Sequence, residues 1–219
     1  MALVKYNNNS ISAVTAAASI PSGSLIHIKT LTASSSATLS FVHGTDGVIL
    51  DSTYPIYKFE FINMHPQNDD GFFHFNVSID GGSNYNVAKT SSYFFAQQNE
   101  AGTSTNLAYE SNYDLAQNTY YQSLGSIGND NDQSLSGSMT LFSPSSTTFV
   151  KQYMATINRA YSSDFTINEF ISGYANTTSA VNAIRFQMNT YANRTSLSNS
   201  GNIDSGKIKL YGIKDSWWA

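Results

Sequence analysis

Residues Ser205–Lys214 read Ser-Gly-Lys-Ile-Lys-Leu-Tyr-Gly-Ile-Lys, directly after Gly201-Asn-Ile-Asp204. In an extended chain Ile208 and Leu210 point one way and Lys207, Lys209 and Tyr211 the other. That is the period of a strand with one face buried. Asp204-Ser205-Gly206 before it is turn chemistry. Lys207, Lys209 and Lys214 stand out on a chain poor in charge. Lysine discourages stray strand pairing, so the strand is expected at the edge of a sheet.

The same period recurs upstream. Leu39 and Phe41 alternate with Thr38, Ser40 and Val42. Tyr57, Phe59 and Phe61 alternate with Lys58 and Glu60. Phe73, Phe75, Val77 and Ile79 oppose Phe72, His74, Asn76 and Ser78. Phe149, Tyr153 and Ile157 share a face with Lys151. Phe165, Ile167 and Ile171, and then Ile184, Phe186 and Met188, complete the pattern. With Leu25–Thr30, Ser138–Phe142 and Lys207–Ile213, about ten strands are expected. Clusters of Gly, Asn and Asp separate them, at 43–47, 68–71, 80–82, 128–132 and 199–201. No long segment carries a 3.6-residue period. Asn106–Gln122 is the best candidate for a short helix. With no fixed repeat, the expected fold is all-β, a single antiparallel β-sandwich or jelly roll with an extended N-terminal arm.

Three segments follow: an arm at 1–23, a body at 24–214 and a short C-terminal tail at 215–219. The arm is rich in small residues and Asn, and is read either as a plain tail or as a segment that docks on another subunit or particle component. Tyr6, Ile11, Val14 and Ile20 are its candidate anchors. Trp217 and Trp218 are candidate interface or glycan contacts, because Trp offers a flat apolar face with a polar N–H.

Composition narrows the function. Charged residues are 12% of the 219, about half the usual share. Asn, Ser and Thr supply the polarity instead, which suits an extracellular or particle-exposed surface. A net charge of −4, with only 11 Lys and Arg spread thinly, argues against nucleic acid as partner. Cysteine is absent, so neither disulfides nor thiolate metal sites are expected. There is no apolar run long enough for membrane insertion by a helix, and the N-terminus lacks the pattern of a signal peptide.

Motifs of chemistry are sparse. There is no nucleophile elbow and no phosphate-binding glycine loop. His27, His43, His65 and His74 are scattered. Of the four Glu (60, 100, 110 and 169), Glu60 and Glu169 lie on different expected strands, and sequence does not bring them together as a glycosidase pair. The densest oxygen cluster is Gly128-Asn-Asp-Asn-Asp-Gln133. Asp130 and Asp132 are candidate cation ligands there, although turn chemistry alone also accounts for the loop. No catalytic residue and no cofactor is expected.

Several stretches carry a resemblance. They are Asp51-Ser-Thr-Tyr54 with Tyr57-Lys-Phe59, Ile62-Asn-Met-His-Pro66, Ser123–Asp132, Leu141–Val150, Gly173–Ala180 and, above all, Ser200–Ile213. Together, over about residues 36–214, they resemble a β-sandwich module of virion surface proteins of tailed bacteriophages, marine ones especially. The resemblance implies a non-enzymatic virion protein on the particle surface, tail-fibre-like and receptor-binding. A capsid decoration protein, or a carbohydrate-binding or depolymerising module, are the alternatives. It further implies a homo-oligomer, a trimer being favoured, that meets other virion proteins through the arm and a host surface glycan through the body. Such a protein is made in the host cytoplasm and carried on the particle.

Overall fold

A computed structural model describes residues 24–161, 164–189 and 201–215. Tyr6, Ile11, Val14, Ile20, Trp217 and Trp218 lie outside the described residues.

Twelve strands are described: β1 (Leu25–Thr32), β2 (Leu39–Val42), β3 (Ile56–Pro66), β4 (Gly71–Ser78), β5 (Lys89–Asn99), β6 (Thr105–Tyr109), β7 (Gln122–Ile127), β8 (Leu135–Phe142), β9 (Lys151–Tyr161), β10 (Phe165–Ala175), β11 (Ala183–Asn189) and β12 (Ile203–Ile213). They form two antiparallel sheets. The larger runs β1-β12-β3-β8-β9-β10-β5-β6, the smaller β2-β11-β4-β7. The first four strands of the large sheet and the four of the small one pair in nested fashion: β1 with β12, β2 with β11, β3 with β8, β4 with β7. A long hairpin rolled up in this way is a jelly roll. The four remaining strands are inserted into its connections and prolong the large sheet. The all-β sandwich expected from sequence is therefore the fold.

Alternation explains the layers. In β9, Lys151, Tyr153, Ala155, Ile157 and Arg159 turn inward, while Gln152, Met154, Thr156 and Asn158 face solvent. β3 and β12 do the same, with Tyr57, Phe59, Phe61, Ile208 and Leu210 inward. β4 differs, being buried along both faces. Its inner residues Phe73, Phe75 and Val77 enter the core. Its outer face is covered by the connections at 79–88 and 110–121. The Asn76 side-chain amide donates to the carbonyls of Tyr85 (2.8 Å) and Thr119 (3.0 Å), and Phe72 meets the Tyr113 ring edge-on.

The core is aromatic. The Phe186 ring on β11 lies within 5.3–6.3 Å of the rings of Phe41, Phe59, Phe61, Phe73 and Phe75. These come from both sheets, so one side chain ties the two layers together.

Three expectations are corrected. β12 is not an edge strand. It lies between β1 and β3, and the edge is β1, where a bulge between His27 and Lys29 interrupts the ladder. The stretch 106–122 holds no helix. Its first residues belong to β6, paired with Phe94–Gln98. Its later ones are held by side chains on β5, with the Leu115 N–H donating to Ser91 Oγ and the Gln117 N–H to Thr90 Oγ1. Phe149 is not part of β9; it is exposed in the loop before it.

Replacing Phe186 with Ala leaves a cavity bounded by both sheets. Urea unfolding is expected to show a loss of about 3–5 kcal/mol, with Phe186→Leu losing less.

Candidate functional site

The loops at one end of the sandwich enclose the candidate site. A cleft of about 520 Å³ opens where three of them adjoin: the β5–β6 turn, the β7–β8 loop and the β9–β10 turn. The first contributes Gln98, Asn99 and Glu100, the second Asp130, Asp132 and Gln133. The strand ends of the third contribute Asn158, Tyr161, Asp164, Phe165 and Thr166. Each loop is held by its own chemistry. Asn99 Oδ1 accepts from the Thr103 and Ser104 N–H groups, both at 2.9 Å, which sets the first turn. The Gln133 N–H donates to the Asp130 carbonyl at 2.9 Å, and His65 Nε2 lies 3.2 Å from the same oxygen. Asp69 Oδ1 accepts from the Asn129 N–H at 3.3 Å, joining the β3–β4 loop to the β7–β8 loop. The Asn158 side-chain amide donates to Thr166 Oγ1 at 3.1 Å across β9 and β10.

The lining is rich in acceptors. Glu100, Asp130, Asp132 and Asp164 bring carboxylates, and the Asn and Gln side chains bring amides, with Tyr161 and Phe165 as flat apolar surfaces. Among the described residues neither Lys nor Arg lines the cleft, and the nearly buried Arg159 guanidinium lies behind it, 5.1 Å from the centre of the Tyr161 ring. A phosphate or other anion finds no counter-charge among the described lining residues. The chemistry of the lining suits a neutral, hydroxyl-rich ligand, since carboxylates and amide oxygens can accept O–H groups and aromatic rings can cover C–H faces.

Asp130 and Asp132, the candidate cation ligands, thus share one cleft. Among the described residues no group of three or more His, Asp or Glu is placed to hold a metal ion. Turn chemistry accounts for the loop's backbone, and the two side chains line the cleft. Glu60 and Glu169 are kept apart. Glu60 lies on the outer face of β3 with Lys58 Nζ at 3.2 Å, and Glu169 points inward from β10. Asn76, which heads an Asn-Val-Ser sequence of the kind that accepts N-linked glycans, has a fully buried side chain. The lining residues from β5, β9 and β10 escape a reading by motif, because they are turn-flanking polar residues of ordinary type.

Besides Lys151, whose Nζ donates to the Phe149 and Thr177 carbonyls at 2.7 and 3.1 Å, two sets of buried charges lie outside the cleft among the described residues. Below the strands that carry it, Arg159 Nε donates to Glu169 Oε1 at 2.7 Å, with both side chains almost wholly buried. Burial pushes the Glu169 carboxyl up, and Arg159 opposes that. Gly125 of β7 lies against the pair: a Cβ there would come within 2.9 Å of Arg159 Nε and closer still to Glu169 Oε2. Only glycine lets β7 approach so near, so this pair is part of the packing between the sheets. Lys89 is the second case. It is fully buried, and its Nζ donates to Asn76 Oδ1 (2.7 Å) and the Val87 carbonyl (2.9 Å). Desolvation brings its pKa down to about 7. A desolvated amine is a potential nucleophile or base, but this one is fully buried and does not line the cleft.

No family model matches the chain, and no curated protein or solved structure gives a significant match.

Lys89 makes stability depend on pH. Its pKa is about 7 when folded and 10.5 when exposed. Between these values the unfolded chain holds a proton that the native protein lacks, so stability rises with pH. Below pH 7 the buried ammonium persists and the gain is absent. Above about pH 10 the buried tyrosines 93 and 153, whose pKa values are raised, act in the opposite sense. Urea unfolding from pH 7 to 9.5 is expected to show a rise on the order of 1 kcal/mol per pH unit that Lys89→Met lacks.

Proposed function

We propose that the chain is a non-enzymatic recognition protein displayed on the surface of a tailed-bacteriophage virion. In this reading it is tail-fibre-like, and its cleft contacts a host surface glycan. The observation that carries recognition is the cleft itself: an acceptor-rich lining, without Lys or Arg among its described residues and with Tyr161 and Phe165 beside it, built from loops on a stiff antiparallel frame. Loops on a rigid scaffold are the usual place for binding residues. The virion placement rests on the sequence resemblance and on a surface hydrated by neutral side chains. Jelly rolls also serve as viral capsid and lectin domains, which is support by analogy of fold.

Two further parts of the proposal concern partners. The chain self-associates on the particle, and residues 1–23 dock it to other virion proteins through Tyr6, Ile11, Val14 and Ile20. Copy number separates a tail-fibre-like protein from a decoration protein: a few tens of copies or fewer per particle against hundreds.

The cleft is tested by binding of the purified protein to host cells and to a glycan array. The double variant Asp130→Ala, Asp132→Ala is expected to bind at least about tenfold more weakly, as loss of charge-assisted hydrogen bonds implies, with its melting temperature unchanged. Absence of binding by the wild type to cells and glycans alike overturns the glycan reading. Release of reducing ends from host polysaccharide overturns the non-enzymatic one. The arm is tested separately. A chain lacking residues 1–23 is expected to fold, because β1 starts at Leu25, and to be missing from purified particles; normal incorporation refutes the docking role.

A further inference from the structure

The two ends of the large sheet are unlike each other. β1 carries Lys29 and a bulge between His27 and Lys29, both of which discourage pairing by another strand. At the other end, β6 borders no further strand among the described residues. Its sequence, Thr105-Asn-Leu-Ala-Tyr109, has no charge, no proline and no bulge. Charge is absent from the whole stretch Ala101–Tyr109.

The register on β5 shows which backbone groups are free. The Glu110 N–H donates to the Tyr93 carbonyl and the Asn99 N–H to the Ser104 carbonyl. Antiparallel pairs alternate between bonded and non-bonded. Between those two anchors, Ala108 with Phe95 and Asn106 with Gln97 are the bonded pairs. Thr105, Leu107 and Tyr109 therefore turn their N–H and C=O groups away from β5, toward the open edge.

The side chains of these residues reinforce the point. Leu107 and Tyr109 are 73% and 57% exposed. They share the sheet's outer face with Phe94, which is 42% exposed and stacks on Phe170 with ring centroids 4.9 Å apart. Tyr109, Phe94 and Phe170 stand in one cross-strand row, and the row ends at the open edge.

We propose that β6 pairs with β6 of a second copy of this chain, antiparallel about a two-fold axis at Leu107. The strand is self-complementary in this arrangement. Leu107 falls opposite Leu107 of the second copy and Thr105 opposite Tyr109. All three kinds of residue present free backbone groups, so each pair exchanges both its hydrogen bonds. No like charges meet: the first flanking carboxylate, Glu110, falls opposite Ser104. The two Leu107 side chains touch across the axis, and Thr105 of the second copy continues the row of Tyr109, Phe94 and Phe170. The guarded β1 edges stop the sheet from growing further, so the association closes at two copies and forms no filament. This contact makes the proposed self-association a dimer, in place of the trimer that the resemblance favours, and does not depend on what the cleft binds.

The chain has no cysteine, so single-cysteine variants report the register directly. Residues in a bonded antiparallel pair have Cα atoms about 5.5 Å apart, within the range a disulfide spans. Leu107→Cys is expected to cross-link rapidly under mild oxidation. Thr105→Cys is not, since its own counterpart lies about 13 Å along the strand. In sedimentation velocity at concentrations on the order of 100 µM, the full wild-type chain is expected to run as a dimer. Leu107→Lys, at an exposed site, is expected to run as a monomer with an unchanged melting temperature. A monomeric wild type overturns this interface and leaves the glycan test untouched. So does a dimer or trimer that survives Leu107→Lys without cross-linking through Leu107→Cys.

Discussion

The ring of Phe186 is the contact on which the rest of the architecture depends. It projects from the small sheet into rings from both layers: Phe59 and Phe61 of the large sheet, and Phe41, Phe73 and Phe75 of its own. The chain has no disulfide, so the two layers are held by packing and by contacts such as the hydrogen bond that the Tyr153 hydroxyl donates to Gln122 Oε1 at 3.1 Å. Edge-to-face pairs add to area burial only when their geometry is kept. That requirement propagates outward. β3 and β11 must hold their registers against β12 and β4 for the rings to meet, and a slip of one residue would turn the rings of the slipped strand out of the core.

Around this core much of the buried polarity is satisfied or paired, although neither amide atom of the buried Gln187 has a hydrogen-bond partner among the described residues. Asn76 and Lys89 illustrate the first case. Asn76 binds two loop carbonyls with its amide hydrogens and Lys89 with its oxygen, so one side chain gathers 85, 119 and 89 onto the outer face of β4. Arg159 and Glu169 illustrate the second. Removing either partner would leave a lone charge between the sheets, a loss far larger than the pair's net contribution. Gly125 belongs to the same device, because its missing side chain is what lets β7 close over the pair.

The fold was legible wherever a strand has one wet face. The alternation in 57–61, 151–159 and 207–213 reports burial directly, and the structure follows it residue by residue. β5 and β7 were hidden for a physical reason. Gln122–Ile127 is buried on both faces and contains Ser, Gly and Gln, so it shows neither alternation nor an apolar run. β5 is mostly half-buried, and its outer face mixes Thr, Ser, Phe and Ala. β6 looked like part of a helix because Leu107 and Tyr109 are apolar and exposed, a pattern that signals a surface to be covered rather than a core. The position of β12 was misjudged because its lysines report a solvent-facing side, and a sheet's outer face is as wet in the middle as at the edge. Of the cleft, Asp130 and Asp132 were legible as an oxygen cluster. Their companions on the β5–β6 and β9–β10 turns were not, since only pairing across several strands brings 98–100, 130–133 and 158–166 together.

The inserted strands explain why these features coincide. The eight nested strands of the jelly roll pair without them, while β5, β9 and β10 add Tyr93, Tyr153, Ile157 and Ile171 to the same core. β5, β6, β9 and β10 add a second stretch of sheet beside β8, and this addition creates two surfaces at once. Their turns rise beside the β7–β8 loop and wall the cleft on two sides. Their last strand leaves an open, uncharged edge carrying Leu107 and Tyr109. The two surfaces meet at the β5–β6 turn, where Asn99 and Glu100 line the cleft and the strand leading out of the same turn is the open edge. Pairing at that edge would therefore tether the turn from its far side and steady one wall of the cleft. A loop that binds ligand loses less entropy when its strands are already held, so assembly through β6 and recognition in the cleft would reinforce each other through one hairpin.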